Sequence, residues 1–374
     1  MKIPTIFISL IIFYVTLIGS VTADEVKIHF AGFSFRGDYS QISTNYPKTL
    51  SISNQKLADQ RSILDATLVD KIKNIKIKGG NLVLGELANL DDGSLILACC
   101  LDTELISVEQ FDDGFKLVID LGAQALFFDY SSMKVVASYP IMVELIDYLP
   151  IEPDDKIITN RIGDLLLSRK YNLNLFDDFI AILQKIEIKK SYSSSLKVTD
   201  VLLEERAFSY LPPRFRNDPN NFKIFIAQNL GKFLSNNQGV SILPYTKGYD
   251  IGNKIAVRFT DAKVFELDIP EPQFAIELTV RGFKKVCTDQ KASGSCWVYG
   301  SFAKIKVFQP MLGKVYMDDK IKQGVSKIVP STQKTVNDWP SYQNSLMALF
   351  NDTTKKFSTD SKYTKVRKVI EKCK

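Results

Sequence analysis

The amino-acid sequence predicts an α+β protein of two domains, each an antiparallel β-meander with flanking helices, either a tandem repeat of one design or two unrelated α+β domains. Three observations carry this. Long runs rich in β-branched and aromatic residues are broken by Asp-Asp-Gly at 91–93 and 112–114. Asp-Gly between such runs is a hairpin signal, because glycine accepts the positive φ of the turn. Runs with apolar residues at helical spacing stand before and after the β-rich stretches. The order strand, helix, strand, meander, helix appears from Val26 and again from Leu196. At 374 residues the chain is long enough for two cores.

In the first half, VKIHFAGFSFR alternates, with Val26, Ile28 and Phe30 on one face and Lys27 and His29 on the other. Ile63, Leu64, Leu68, Ile72 and Ile75 form a helical stripe over residues 56–76, stopped by Gly79-Gly80. NLVLGEL, SLILACCLDTELISVEQF, FKLVIDLGAQALFFDY and KVVASYPIMVELIDYL read as consecutive strands of one meander. A helix opening at 150–155 runs to about residue 188, interrupted at SRKYN.

In the second half, SLKVTDVLLEERAF is strand-like, Asp218 is placed to cap the helical FKIFIAQNLGKFLS, and VSILPY is a short strand. VFELDI, FAIELTVRGFKKV, CWVYGSFAKIKVF and GKVYMDDKIKQG follow as strands, and a helix closes the half over residues 338–357. The boundaries are then 1–23 for a signal peptide, 24–188 and 196–357 for the two domains, 189–195 (KKSYSSS) for the linker and 358–374 for a basic tail. VSILPYTKGYDIG resembles the opening of small envelope domains such as the amino-terminal domain of TolB, an apolar strand ending in Pro and an aromatic. The resemblance is confined to this stretch and implies no site residue.

The amino terminus has its own character. Lys2 is followed by IPTIFISLIIFYVTLIG, 17 residues without a charge, and then by Val21 and Ala23 at the spacing of a cleavage site. This is the pattern of a secretory signal peptide, with mature protein expected from Asp24 in the periplasm or outside the cell. Residues 354–374 carry eight Lys or Arg against two acids, whereas the whole chain has a net charge of +6. The excess basic charge therefore sits in the tail: Lys355, Lys356, Lys362, Lys365, Arg367, Lys368, Lys372 and Lys374. A near-neutral body argues against nucleic-acid binding, and the tail is expected to make at most a weak contact with an anionic membrane surface.

Several chemistries are excluded by residue type. GSCW at 294–297 resembles the nucleophile region of papain-like proteases. That chemistry needs a histidine base after the cysteine, and the chain's one histidine, His29, lies far upstream. Cys287 and Cys296 flank the turn-rich TDQKASGS and are expected to form a structural disulfide in an oxidising compartment. Cys99 and Cys100 read as small buried residues, and Cys373 as a free or intermolecular thiol. No zinc or calcium pattern, P-loop or dinucleotide fingerprint is present, so neither a metal nor a cofactor is expected.

No catalytic residue is nominated. Asp102, Glu104, Asp120, Asp129, Glu266, Asp268 and Glu277 are the carboxylates in strand-like runs, and nothing in their spacing selects a pair. Trp297, Tyr299, Phe302 and Trp339 could stack a sugar or peptide, or fill a core. The expected function is that of an exported, non-enzymatic accessory or binding protein of the cell envelope, its partner an envelope protein or a glycan. The alternative is a glycan-active hydrolase using two carboxylates. Such a pair would stand about 5–10 Å apart in an aromatic-lined cleft.

Overall fold

The computed structural model describes residues 25–37, 39–85, 94–111, 114–189, 191–246, 254–331 and 336–374. The expected signal peptide, the turn at 91–93 and most of the polar half of the TolB-like stretch lie outside these residues.

The protein is α+β, with two sheets. The first contains β1 (Val26–Arg36), β2 (Gly80–Leu84), β3 (Leu95–Phe111), β4 (Gly114–Asp129) and β5 (Lys134–Leu149), joined by β7 (Lys254–Phe259) and β8 (Val264–Asp268). The second contains β6 (Leu196–Leu203), β9 (Phe274–Lys291), β10 (Gly294–Gln309) and β11 (Lys314–Pro330). The helices are α1 (Tyr39–Asn45), α2 (Pro47–Ser53), α3 (Ile63–Ile72), α4 (Asp155–Leu167), α5 (Leu175–Leu183), α6 (Pro219–Gln238), α7 (Trp339–Thr359) and α8 (Thr364–Cys373), with short helical turns at Glu205–Phe208 and Pro213–Arg216.

The two halves share one strand order. In the first, β1 runs parallel to β3, and β3, β4 and β5 form an antiparallel meander. In the second, β6 runs parallel to β9, and β9, β10 and β11 form the meander. Helices intervene between the first and second strand of each set and follow the last.

The layers stack as helices, sheet, helices, sheet. One face of the first sheet packs on α3, α4 and α5 through Leu97, Ile119, Phe127, Leu68, Ile162 and Phe179. Helix α6 lies between the sheets. Its Phe222, Phe225, Ile226 and Leu230 join the core of the second sheet, which also takes in Met142 from β5. The α6 ends follow local chemistry. The Asp218 carboxylate accepts from Asn220 N, and Gly239 takes the left-handed conformation, φ 63°, past the last turn.

Several expectations need correction. NLVLGEL and SLILACC do not form a hairpin: β2 and β3 both pair in parallel with β1, which lies between them. Strands β3 and β4 do pair as a hairpin, with Phe111 opposite Gly114, although residues 112–113 of the expected turn lie outside the described residues. VSILPY makes a single bridge, Leu243 to Lys197, and no strand. The stripe over 56–76 gives the shorter α3, because Ser62 caps it through Leu64 N and a turn occupies the residues before. Hairpin β7–β8 follows the 189–195 connection in sequence yet completes the first sheet. Strand β7 pairs with β1, and β8 meets β5 at Lys134 and Asp268. It covers a small apolar cluster of Ile96, Ala98, Leu126, Phe128, Val257 and Leu267.

The basic tail is folded. Val366, Val369, Ile370 and Cys373 line one side of α8 and belong to the second core. Arg367 donates to the carbonyls of Phe357 and Asp360, and Lys362 Nζ lies 2.8 Å from Asp319. The apolar edge that could have entered a membrane is therefore used inside the protein. Lys365, Lys368, Lys372 and Lys374 stay exposed.

Candidate functional site: a buried acid pair between the sheets

Strand β4 builds the site. Alternate residues share a face, so Lys116, Val118, Asp120, Gly122, Gln124, Leu126 and Phe128 point away from α3–α5. This face changes character along its length. Leu126 and Phe128 lie under the β7–β8 hairpin, whereas Asp120 and Lys116 lie under elements of the second half. The register sets Asp120 directly opposite Glu144 of β5, and Lys116 opposite Glu109 of β3.

Asp120 is fully buried, and its Oδ2 accepts from Arg214 Nη1 at 2.8 Å. Arg214 also donates from Nη2 to Gln343 Oε1 at 3.4 Å. Gln343, on α7, accepts from Trp339 Nε1 at 2.8 Å and donates its amide to Glu144 Oε2. The other Asp120 oxygen, Oδ1, is buried without a partner if both acids are ionised. Burial first, and the neighbouring Asp120 carboxylate second, push Glu144 up to about 8. Both causes favour the protonated form of Glu144, which can donate to the orphaned Asp120 oxygen. Two carboxylates in contact cannot both ionise without a large cost, and one shared proton satisfies the orphaned oxygen.

Beside the pair is a cavity of about 210 Å³, bordered by Lys116, Ile146, Arg214, Trp339 and Met347. Lys116 is 1% exposed and bonds Glu109 Oε2 at 2.7 Å, and the Asn337 amide donates to the same oxygen. Further along the same seam, Gln124 donates to Asp102 Oδ2 at 2.7 Å, Ser138 donates to Gln124 at 2.6 Å, and Thr103 donates to Gln228 of α6 at 2.7 Å. Lys232 of α6 donates to the Met142 carbonyl at 2.6 Å. The seam is thus a polar weld between the first sheet and the helices of the second half. Its acids touch, so they do not hold the spacing that glycoside hydrolysis needs on either side of a scissile bond.

The residues nominated from sequence are scattered. Of the seven carboxylates, Asp120 enters the acid pair and Asp102 the adjoining network. Glu104 accepts from Lys48 N and Thr49 N at the start of α2. Asp129 organises the β4–β5 turn through Ser132, Glu277 pairs with Lys306, Asp268 lies 3.8 Å from Lys254, and Glu266 is exposed. Glu144, Arg214 and Gln343 were missed. Their signal is weak, since Glu144 is the lone acid in the apolar SYPIMVELI and the other two come from distant turns.

The aromatics are largely core. Tyr299 is fully buried, donates to Asp338 Oδ1 at 2.6 Å and contacts Tyr342 edge-on. Trp339 packs against Phe215, Phe222 and Phe283. Trp297 is half-buried, with Lys285 Nζ 4.5 Å from its ring centre. Phe302 is on the opposite face of β10 from Tyr299, so the four do not form one platform.

The expected Cys287–Cys296 bridge is not formed, and all five cysteines are free thiols. A bulge in the ladder sets Cys287 opposite Trp297 and Cys296 opposite Asp289, so the two are not cross-strand partners. Among the described residues no three His, Cys, Asp or Glu side chains converge as a metal site, and no helix is long and apolar enough to cross a membrane.

No family model and no curated protein matches the chain. Solved structures give distant likenesses. A neuraminyllactose-binding hemagglutinin homolog from Helicobacter pylori aligns at 10% identity and a TM-score of 0.26, over 48% of this chain and 92% of its own. A minor lipoprotein from Acinetobacter baumannii aligns at 9% and 0.20, over 44% and 94%. A hypothetical protein from Chlamydia trachomatis aligns at 9% and 0.24, over 48% and 97%. Similarity at this level does not bear on what the chain binds or does.

Proposed function

We propose that the protein is an exported, non-enzymatic binding or accessory protein of the cell envelope, working through a surface rather than a reaction centre. The carrying observation is a contrast in where polar groups point. The acids and amides that could do chemistry are turned inward and bonded to one another between the sheets. The second sheet, by comparison, leaves the outer face of β10 and β11 to solvent. On β10, Tyr299, Ser301, Ala303, Ile305 and Val307 are buried, while Val298, Phe302, Lys304, Lys306 and Phe308 face outward. Export is supported by the Lys2-led apolar run ending at Ala23.

Intact mass of the protein recovered from the cell envelope tests the reading. A chain beginning at or near Asp24 is expected. A soluble cytoplasmic species beginning at Met1 would contradict it.

A further inference from the structure

We propose that the open face of the second sheet, together with the Met311–Leu312 turn at its edge, docks on an anionic lipid bilayer. The inference deepens the reading above and rests on it. On β10 and β11 this face carries Lys304, Lys306, Lys320 and Lys322 against Asp318, and on the adjoining β9 Glu277 lies 3.1 Å from Lys306. Lys304 stands directly opposite Lys320 in the ladder. Like charges in that relation destabilise a sheet. Asp318 relieves one of them, at 2.8 Å from Lys304 Nζ. Lys320 and Lys322 make no ion pair among the described residues, and Lys284 on β9 adds another such charge. The fold itself gains nothing evident from gathering these lysines.

The turn joining β10 to β11 supplies the apolar part. Met311 is 91% exposed and Leu312 70%, with Val315 exposed beside them. Pro310 opens this turn and Gly313, at φ 61°, closes it, so the two side chains are held outward on a short rigid loop. Phe302 and Phe308 lie half-buried among the lysines, with Lys306 Nζ 4.3 Å from the Phe308 ring centre. Lysine stems lying along apolar surface, with the Lys320 and Lys322 ammonium groups outside any ion pair, suit a headgroup layer.

The chemistry favours a bilayer over a discrete ligand. Neither β10 nor β11 contains an arginine, so the bidentate fork used for specific phosphate recognition is missing. Flat, spaced point charges beside an exposed aliphatic pair match a fluid anionic surface into which that pair can dip. Helix α8 is the competing basic element, but its apolar edge is buried in the core.

Vesicle flotation with the chain beginning at Asp24 tests the proposal, using phosphatidylglycerol–phosphatidylcholine vesicles and phosphatidylcholine vesicles. Binding to the anionic vesicles at low salt is expected, weakened at about 0.5 M salt and absent with phosphatidylcholine alone. The triple variant Lys304→Gln/Lys320→Gln/Lys322→Gln should lower partitioning at least about tenfold. Met311→Ser/Leu312→Ser should lower it about tenfold. Lys365→Gln/Lys368→Gln/Lys372→Gln on α8 should stay within about twofold of the parent. No binding at low salt would overturn the proposal, as would binding that ignores the face variants and disappears with the α8 variant. Either result leaves the export reading intact, since that fails separately, on the mass of the cellular protein.

Discussion

Strand β4 and strand β10 hold the same place in their respective halves, the middle of a three-strand meander, and meet different surroundings. From Leu117 to Phe128 every residue of β4 is buried, alternating between the helical layer on one side and the acid seam or the β7–β8 hairpin on the other. On β10 only every second residue is buried. A strand covered on both faces must either be apolar throughout or pair its polar groups internally, and β4 does both in turn. A strand covered on one face is free to place lysines and phenylalanines outward. One strand order thus gives a scaffold in the first half and an available surface in the second.

The comparison breaks most sharply under truncation of one phenylalanine in each strand. Phe127→Ala, in the fully packed strand, should cost about 3–5 kcal/mol, and Phe302→Ala, on the open face, about 1 kcal/mol or less by chemical denaturation. Equal costs would mean that the open face is covered. Next in size is the seam. Arg214→Ala strips Asp120 of its counter-ion inside the protein and should cost about 3 kcal/mol. A loss well under 1 kcal/mol would show that water reaches the pair.

The shared proton makes a pH prediction. Glu144 is raised from its ordinary 4.5 to about 8, so the folded state holds a proton that the unfolded chain releases. Its stabilising effect is full below the ordinary carboxylate range and is lost as pH rises through about 8. Within that window the wild type should lose stability by roughly 1 kcal/mol per pH unit relative to Glu144→Gln, in which the amide can replace the protonated acid. Parallel pH–stability curves for the two proteins would dismiss the shared proton.

The smallest effect concerns the thiols. Cys287 is exposed, Cys296 half-buried, and Cys99, Cys100 and Cys373 buried, with burial pushing Cys373 up to about 12. Maleimide should label the first two in the native protein and the other three only on unfolding. A Cys287–Cys296 cross-linked peptide would show that the ladder register differs from the one described.

Sequence carried the fold further than the site. Alternation in VYGSFAKIKVF and the Asp-Asp-Gly turn at 112–114 mark the meanders because period two and turn chemistry are local. VFELDI is legible as a strand, but its partner β7 and the place of both in the first sheet escaped, since that depends on a distant pairing with Ser34–Arg36. Helices α1 and α2 escaped as well, in a polar stretch punctuated by Pro47. The acid pair was half legible. Asp120 could be nominated as a carboxylate in a strand, but Glu144 meets it through the β4–β5 register and Arg214 and Gln343 only through the stacking of the two halves. The spacing of Val366, Val369 and Ile370 is that of a helix with an apolar edge, but nothing local tells that the second core claims that edge.

Lysine acetylation kinetics on the native protein, read by peptide mass spectrometry, test most directly whether the second sheet keeps one face open. Lys304, Lys320 and Lys322 are expected to modify rapidly, whereas Lys116, buried against Glu109, should resist until the protein unfolds. Face lysines as slow as Lys116 would contradict the account, because the surface assigned as open would then be covered.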